Sequence, residues 1–219
     1  MLTVARSTLD RSTIENIMAK LYFFYSAMNA GKTSQLLQTN FNYRQRGMNT
    51  ALFAPAFDQR EGQGTIKSRI GISASANIFF KETDLFQAIN NIHNQSQVHA
   101  VFIDEAQFLT PAQVLQLTVV CDRLNIPVLT YGLRTDFRGE PFEGSKYLLA
   151  WSDTLTEIRT ICKSGKKATM SARLDQDGNR IFEGEQIDIG YHYEPMARHI
   201  FQLDKASPIA CKEMPADRK

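Results

Sequence analysis

Leu21-Tyr22-Phe23-Phe24-Tyr25-Ser26-Ala27-Met28-Asn29-Ala30-Gly31-Lys32-Thr33-Ser34 is the stretch on which the fold turns. Its first five residues are apolar or aromatic without a break, as in a strand covered on both faces. Small residues then lead into Gly31-Lys32-Thr33-Ser34 and an amphipathic segment. Buried strand, tight loop and helix in that order form the setting of a phosphate-binding loop. Its backbone N–H groups and the positive end of the helix dipole face an anion. In such a loop Lys32 reaches the β- and γ-phosphates and the Thr33 hydroxyl reaches Mg²⁺. The full pattern has a glycine five positions before Gly31, where this chain has Ser26.

The helix after the loop is expected over 32–46, stopped by Gly47, and a strand over 50–54 ends at Pro55. Residues 57–64, FDQREGQG, read as a mobile polar loop carrying Asp58 and Arg60. A strand over 76–80 precedes a helix of about 12 residues capped by Thr83, with Leu85, Phe86, Ile89 and Ile92 inward. Val98-His99-Ala100-Val101-Phe102-Ile103-Asp104 is a hydrophobic strand ending in an acid. An acid at that strand end beside a phosphate loop is placed to hold Mg²⁺ or its water. Glu105 follows, and adjacent side chains point different ways. Thr110-Pro111 opens a helix to about Leu124, a strand spans 126–133, a charged loop spans 134–145, a short helix covers 147–151, and a strand runs over 155–162.

Strands alternating with helices over 21–162 indicate an α/β fold. We expect a P-loop NTPase-like parallel sheet with helices on both faces and the ligand edge at the strands' carboxyl ends. Ser26, Asp104 and Arg134 fall at such ends. Beyond Lys163 the pattern changes to a hairpin, 170–174 and 181–189 around Asp177-Gly178, within a small β-rich segment. The expected division is a disordered extension over 1–19 with Met18 as a candidate start, a kinase-type domain over 20–162, a β-rich covering domain over 163–206 and a flexible tail over 207–219.

The 219 residues, 43% hydrophobic and 22% charged, have the composition of a soluble globular protein. A net charge of +2 gives no reason to expect nucleic acid or a membrane surface as partner. Three scattered cysteines, Cys121, Cys162 and Cys211, suit a reducing compartment, and a cytoplasmic protein is expected.

Residues 25–32, 104–108 and 132–137 together closely resemble the type II, bacterial thymidine kinases, and the resemblance extends over about 19–180. In that family Ser in place of the first loop glycine is familiar. The resemblance implies transfer of the γ-phosphate of ATP, with Mg²⁺, to the 5′-hydroxyl of thymidine or deoxyuridine in pyrimidine salvage. By position, the loop Ser26, Ala27, Met28, Asn29, Ala30, Gly31, Lys32 and Thr33 would hold the triphosphate. Asp104 would serve the metal with Thr33, and Glu105 would be the general base. Ala106 and Gln107 would lie in the nucleotide region, Arg60 would help hold phosphate, and Phe137 would stack on thymine. The covering segment Ile189, Gly190, Tyr191 and Tyr193 would close the pocket, with the choice between the two tyrosines open. A homotetramer is also implied.

Two departures from the family stand out. Its structural zinc site would use four ligands, yet only Cys162 and His199 match, with Ser164 and Met196 at the other two positions. Less than stoichiometric zinc is therefore expected. The covering segment, where the family has Ile-Gly-Gly, polar residues and a Tyr, looks about three residues short. Two other readings remain open on sequence: a P-loop kinase or ATPase of altered nucleoside selectivity, and a nucleotide-binding regulator without turnover.

Overall fold

The computed structural model describes residues 18–56, 64–186 and 191–204. The opening strand, β1 (Leu21–Ser26), turns Leu21 and Phe23 to one face and Tyr22 and Phe24 to the other. Both faces are covered, so the run needs no polar side. After the loop come α1 (Lys32–Gln45), β2 (Thr50–Pro55), the hairpin strands β3 (Thr65–Lys67) and β4 (Ser73–Ser75), β5 (Asn77–Phe79) and α2 (Leu85–Gln95). Then follow β6 (Ala100–Ile103), a 3₁₀ turn at Ala106–Phe108, α3 (Pro111–Val119), a π-helical turn at Val120–Leu124, β7 (Val128–Leu133), α4 (Glu143–Trp151) and β8 (Thr154–Glu157).

Six of these strands form one sheet in the order β5-β2-β6-β7-β1-β8, parallel throughout. Leu85 and Ile89 of α2, Val114 and Leu117 of α3 and Leu148 of α4 pack in one core with Phe23, Phe53 and Ile103. Leu36 and Leu37 of α1 pack in a second core with Leu52, Phe102 and Tyr131. The parallel sheet with helices on both faces is thus as expected. Because β1 lies between β7 and β8, and β6 beside β7, the carboxyl ends of β1, β6 and β7 open on one edge.

The remaining chain holds β9 (Thr160–Ile161), β10 (Lys167–Ala168), β11 (Met170–Leu174), β12 (Arg180–Ile181), β13 (His192–Met196) and α5 (Arg198–Asp204). Strands β9 and β10 pair with each other, and β12-β11-β13 form an antiparallel sheet.

Several boundaries differ from the sequence reading. Asp84, not Thr83, caps α2: its carboxylate accepts from Gln87 N at 2.9 Å, where a negative group also suits the helix end. The Thr83 hydroxyl instead accepts from Phe80 N at 2.8 Å. The expected strand over 155–162 is two strands, the first in the main sheet and the second turned away into the β9–β10 hairpin. The strand β13 had no alternation to announce it. Pro195 is tolerated there because β13 is at the sheet's edge. The extension before Met18, Asp58, Arg60, Ile189, Gly190 and the tail over 207–219 lie outside the described residues.

Candidate functional site

The loop between β1 and α1 reverses through two left-handed residues, Asn29 at φ 61° and Gly31 at φ 81°. Gly31 meets no strain there, and helix α1 starts at once with Lys32. Lys32 is buried, and its ammonium donates to Ser26 Oγ at 3.1 Å and to Ala27 O at 3.2 Å. Ser26, the residue that departs from the glycine pattern, therefore supplies a contact that glycine could not make. Burial pushes the Lys32 pKa down, and the negative charges of Glu105 and Asp104 oppose that shift.

Asp104 follows β6 and is buried. Its pKa is raised to about 7, first by burial and then by the charge of Glu105. The Glu105 N–H, the Thr33 hydroxyl and Lys32 act in the opposite sense. The Glu105 N–H donates to Asp104 Oδ1 at 3.0 Å. Glu105 itself sits at φ 47°, ψ 42°, a left-handed conformation that costs a non-glycine residue about 1–2 kcal/mol. This backbone turn directs two adjacent carboxylates to the same cleft.

The turn is held from below. Gln107 Nε2 donates to Glu105 Oε2 at 2.5 Å, and Gln107 Oε1 accepts from Leu133 N at 3.0 Å. A Cβ on Gly132 would come within 2.9 Å of Gln107 N and Oε1. A Cβ on Gly144 would come within 2.7–2.8 Å of the carbonyl oxygens of Leu109, Ala106 and Gln107. Gly132 stood in the motif over 132–137 without a packing role assigned to it, and Gly144 fell within the charged loop expected over 134–145. Their role depends on which backbone lies opposite them, which local pattern does not reveal.

A cleft of about 620 Å³ lies over these groups. Residues 28–34, Asp104, Glu105 and Leu133 line it, and residues 65–70 of the β3–β4 hairpin form a facing wall that the sequence reading missed. Ala106 and Gln107 are buried and are not among its lining residues; Ala106 packs in the core and Gln107 supports Glu105.

The C-terminal sheet adjoins the cleft. Met28 N donates to Ser171 Oγ at 3.0 Å, Asn29 Nδ2 donates to Tyr193 O at 3.4 Å, and Arg134 donates to Thr169 O at 3.2 Å. Phe137 is 1% exposed, with the Arg173 guanidinium 3.8 Å from its ring centroid. One face of the expected stacking ring is thus already occupied. Tyr191 is exposed, whereas Tyr193 is half-buried.

Hard oxygen donors share the cleft: Thr33 and Asp104 both line it, and the Thr33 hydroxyl acts to lower the Asp104 pKa. That set fits Mg²⁺, which takes few protein ligands and completes its shell with phosphate oxygens and water. No cluster of three or more His, Cys, Asp or Glu occurs among the described residues. At the zinc-knuckle position, Cys162 lies 3.0 Å from the Ser164 hydroxyl, whose hydrogen bond pulls the thiol pKa down. Cys162 packs with Ala168, Ala197 and Ile200, while His199 is exposed. Here the surroundings are those of a small apolar core, whose residue types do not suit a thiolate–imidazole zinc site.

A family profile described as thymidine kinase matches residues 19–201. A thymidine kinase of Aliivibrio fischeri (strain ATCC 700601 / ES114) is 58% identical over 173 residues, covering 79% of this chain and 90% of the relative. One from Xanthomonas axonopodis pv. citri (strain 306) is 59% identical over 174 residues, covering 79% and 83%. One from Coxiella burnetii (strain RSA 493 / Nine Mile phase I) is 53% identical over 189 residues, covering 85% and 96%.

Proposed function

This chain belongs to the thymidine kinase family, and from that premise we propose how its residues divide the work. The enzyme is an ATP-dependent nucleoside kinase acting on thymidine. The observation that carries the assignment of roles is the pairing of Asp104 and Glu105 at the end of β6, opposite Lys32, in one cleft.

The N–H groups of residues 27–33 and Lys32 hold the triphosphate. Thr33 and Asp104 would hold Mg²⁺, which when bound would neutralise phosphate charge. Glu105 accepts the proton of the 5′-hydroxyl as its oxygen attacks the γ-phosphorus. The new O–P bond forms as the bond from the γ-phosphorus to the β,γ-bridging oxygen breaks, and ADP leaves. A carboxylate held by Gln107 in a left-handed turn keeps one orientation, so positioning supplies much of the catalysis. Phe137 would lie on the nucleoside side, with one face of its ring covered by Arg173.

Deoxyuridine is a second acceptor in this reading, because it differs from thymidine only by the base methyl group. Cytoplasmic residence and a homotetramer complete it; among the described residues no helix is long and apolar enough to cross a membrane. The test is phosphate transfer from ATP-Mg²⁺ to thymidine, deoxyuridine and deoxycytidine. Transfer to the first two and little to the third is expected. ATP binding without transfer, or no thymidine monophosphate, overturns the assignment.

A further inference from the structure

The β3–β4 hairpin walls the cleft through residues 65–70, facing the loop that carries Lys32. It is fixed from behind. Ile66 of β3 packs in the core formed with Leu36 and Leu37 of α1, and it pairs antiparallel with Ala74 of β4. The hairpin closes in a short turn. Ser68 N donates to Ile72 O at 2.8 Å, Ser68 O accepts from Gly71 N at 3.0 Å, and Gly71 takes φ 91°, where glycine is favoured. Ser68 and Arg69, in this turn, both line the cleft.

The fold of the hairpin accounts for neither side chain. Ser68 is 4% exposed, and its hydroxyl has no hydrogen-bond partner among the described residues. Both of its backbone groups are used within the turn, so the hydroxyl is the group left over. A buried hydroxyl without a partner destabilises the ligand-free fold, and an acceptor arriving with a ligand removes that cost. Arg69 is exposed, and no carboxylate among the described residues pairs with it. Its charge is nevertheless felt by Lys32. Burial chiefly lowers the Lys32 pKa, Glu105 and Asp104 oppose this, and Arg69 adds to the lowering. A loop lysine serves the β- and γ-phosphates, so the cation that Lys32 feels lies towards the same end of a bound triphosphate. Ionised phosphate oxygens only accept hydrogen bonds, and a guanidinium can donate to two of them at once.

We propose that the β3–β4 turn is a second phosphate grip, in which Arg69 and the Ser68 hydroxyl bind the β,γ end of the ATP triphosphate from the wall opposite Lys32. This inference rests on the ATP-dependent kinase reading above.

The test measures equilibrium binding of ATP-Mg²⁺ and ADP-Mg²⁺, steady-state constants for ATP and thymidine, and Tm without ligand. It uses the full-length enzyme and its Arg69→Gln, Arg69→Lys and Ser68→Ala variants. Arg69→Gln weakens ATP binding and lowers kcat/KM for ATP by about 30-fold, within the range of one lost charged hydrogen bond. ADP binding weakens less, KM for thymidine stays within about twofold, and Tm is unchanged. Arg69→Lys recovers part of the ATP affinity, because it keeps the charge and loses the planar fork. Ser68→Ala weakens ATP binding about three- to fivefold, while Tm without ligand holds or rises as an unpaired hydroxyl is removed. ATP constants unchanged in Arg69→Gln overturn the proposal. Equal losses for ATP and thymidine with a fall in Tm overturn it too, and make Arg69 a support of the hairpin. Equal weakening of ATP and ADP overturns the placement at the β,γ end. Ser68→Ala that lowers Tm and leaves ATP binding unchanged removes the hydroxyl from the grip. Wild-type enzyme that binds ATP and transfers no phosphate overturns the functional reading, while the binding comparison still decides the grip. Wild-type enzyme that binds no ATP overturns both.

Discussion

On the side of the cleft proposed to take phosphate, Lys32, Asp104 and Glu105 sit on two turns at the carboxyl ends of β1 and β6, strands of one parallel sheet. On the proposed nucleoside side, Phe137 of the loop after β7 and Tyr193 of β13 both contact one buried guanidinium, that of Arg173 in β11. The first side is a backbone device: left-handed turns at Asn29, Gly31 and Glu105 aim N–H groups and carboxylates. The second is a side-chain device, and its geometry is only as firm as Arg173. The two touch at the tip of the loop, where Met28 and Asn29 bond to Ser171 and Tyr193. A backbone device tolerates substitution of its neighbours but fails with its charged residues. A side-chain device fails in steps as its contacts are removed.

The contrast breaks most sharply at Lys32. Lys32→Met is expected to lower kcat/KM by two to three orders of magnitude, roughly what loss of a preorganised charge contact costs. Ligand-free stability should move the other way. The folded-state pKa of Lys32 lies below its ordinary 10.5, so over that window the unfolded chain binds more protons and stability rises with pH. Lys32→Met removes this rise and stabilises the ligand-free protein at neutral pH. Urea unfolding at two pH values checks both points; a destabilised variant at neutral pH contradicts them.

Next in size is the support beneath Glu105. Gly144→Ala sets a methyl group against three carbonyl oxygens of the 3₁₀ turn and its exit. It should cost about 1–3 kcal/mol in urea unfolding and reduce kcat, with KM for thymidine little changed. An unaltered unfolding midpoint would show that the turn can shift freely.

The smallest effect is expected far from both devices. Cys162→Ser should change stability by less than about 1 kcal/mol, since Cys162 packs in a small apolar cluster. Metal analysis of the wild type should find less than one zinc per chain. One tightly held zinc, lost in Cys162→Ser, would make this region a metal joint instead.

The same division explains what could be read in advance. The strand, turn and helix start around 26–33, and the acids at the end of β6, were legible because their geometry is local and consecutive; that they share one cleft is seen only in the fold. The parallel order followed from alternating segments, each with both faces apolar. The packing roles of Gly132 and Gly144 were not legible, because what they avoid is backbone distant in sequence. Strand β13 was hidden by Pro195 and by polar residues that an edge strand can carry. Arg173 looked like any charged residue in a hairpin; only the assembled sheet shows that it faces inward between Phe137 and Tyr193. The β3–β4 hairpin, lining the cleft, is built of three-residue strands too short to show a period.

Glu105→Gln is the most direct test of the central claim, that the carboxylate after Asp104 takes the proton from the 5′-hydroxyl. The amide keeps the size of the side chain and removes only the base. Single-turnover transfer to thymidine from ATP-Mg²⁺ should slow by about 10²–10⁴-fold, with ATP affinity and Tm close to wild type. A Glu105→Gln enzyme transferring phosphate at the full rate would contradict the account.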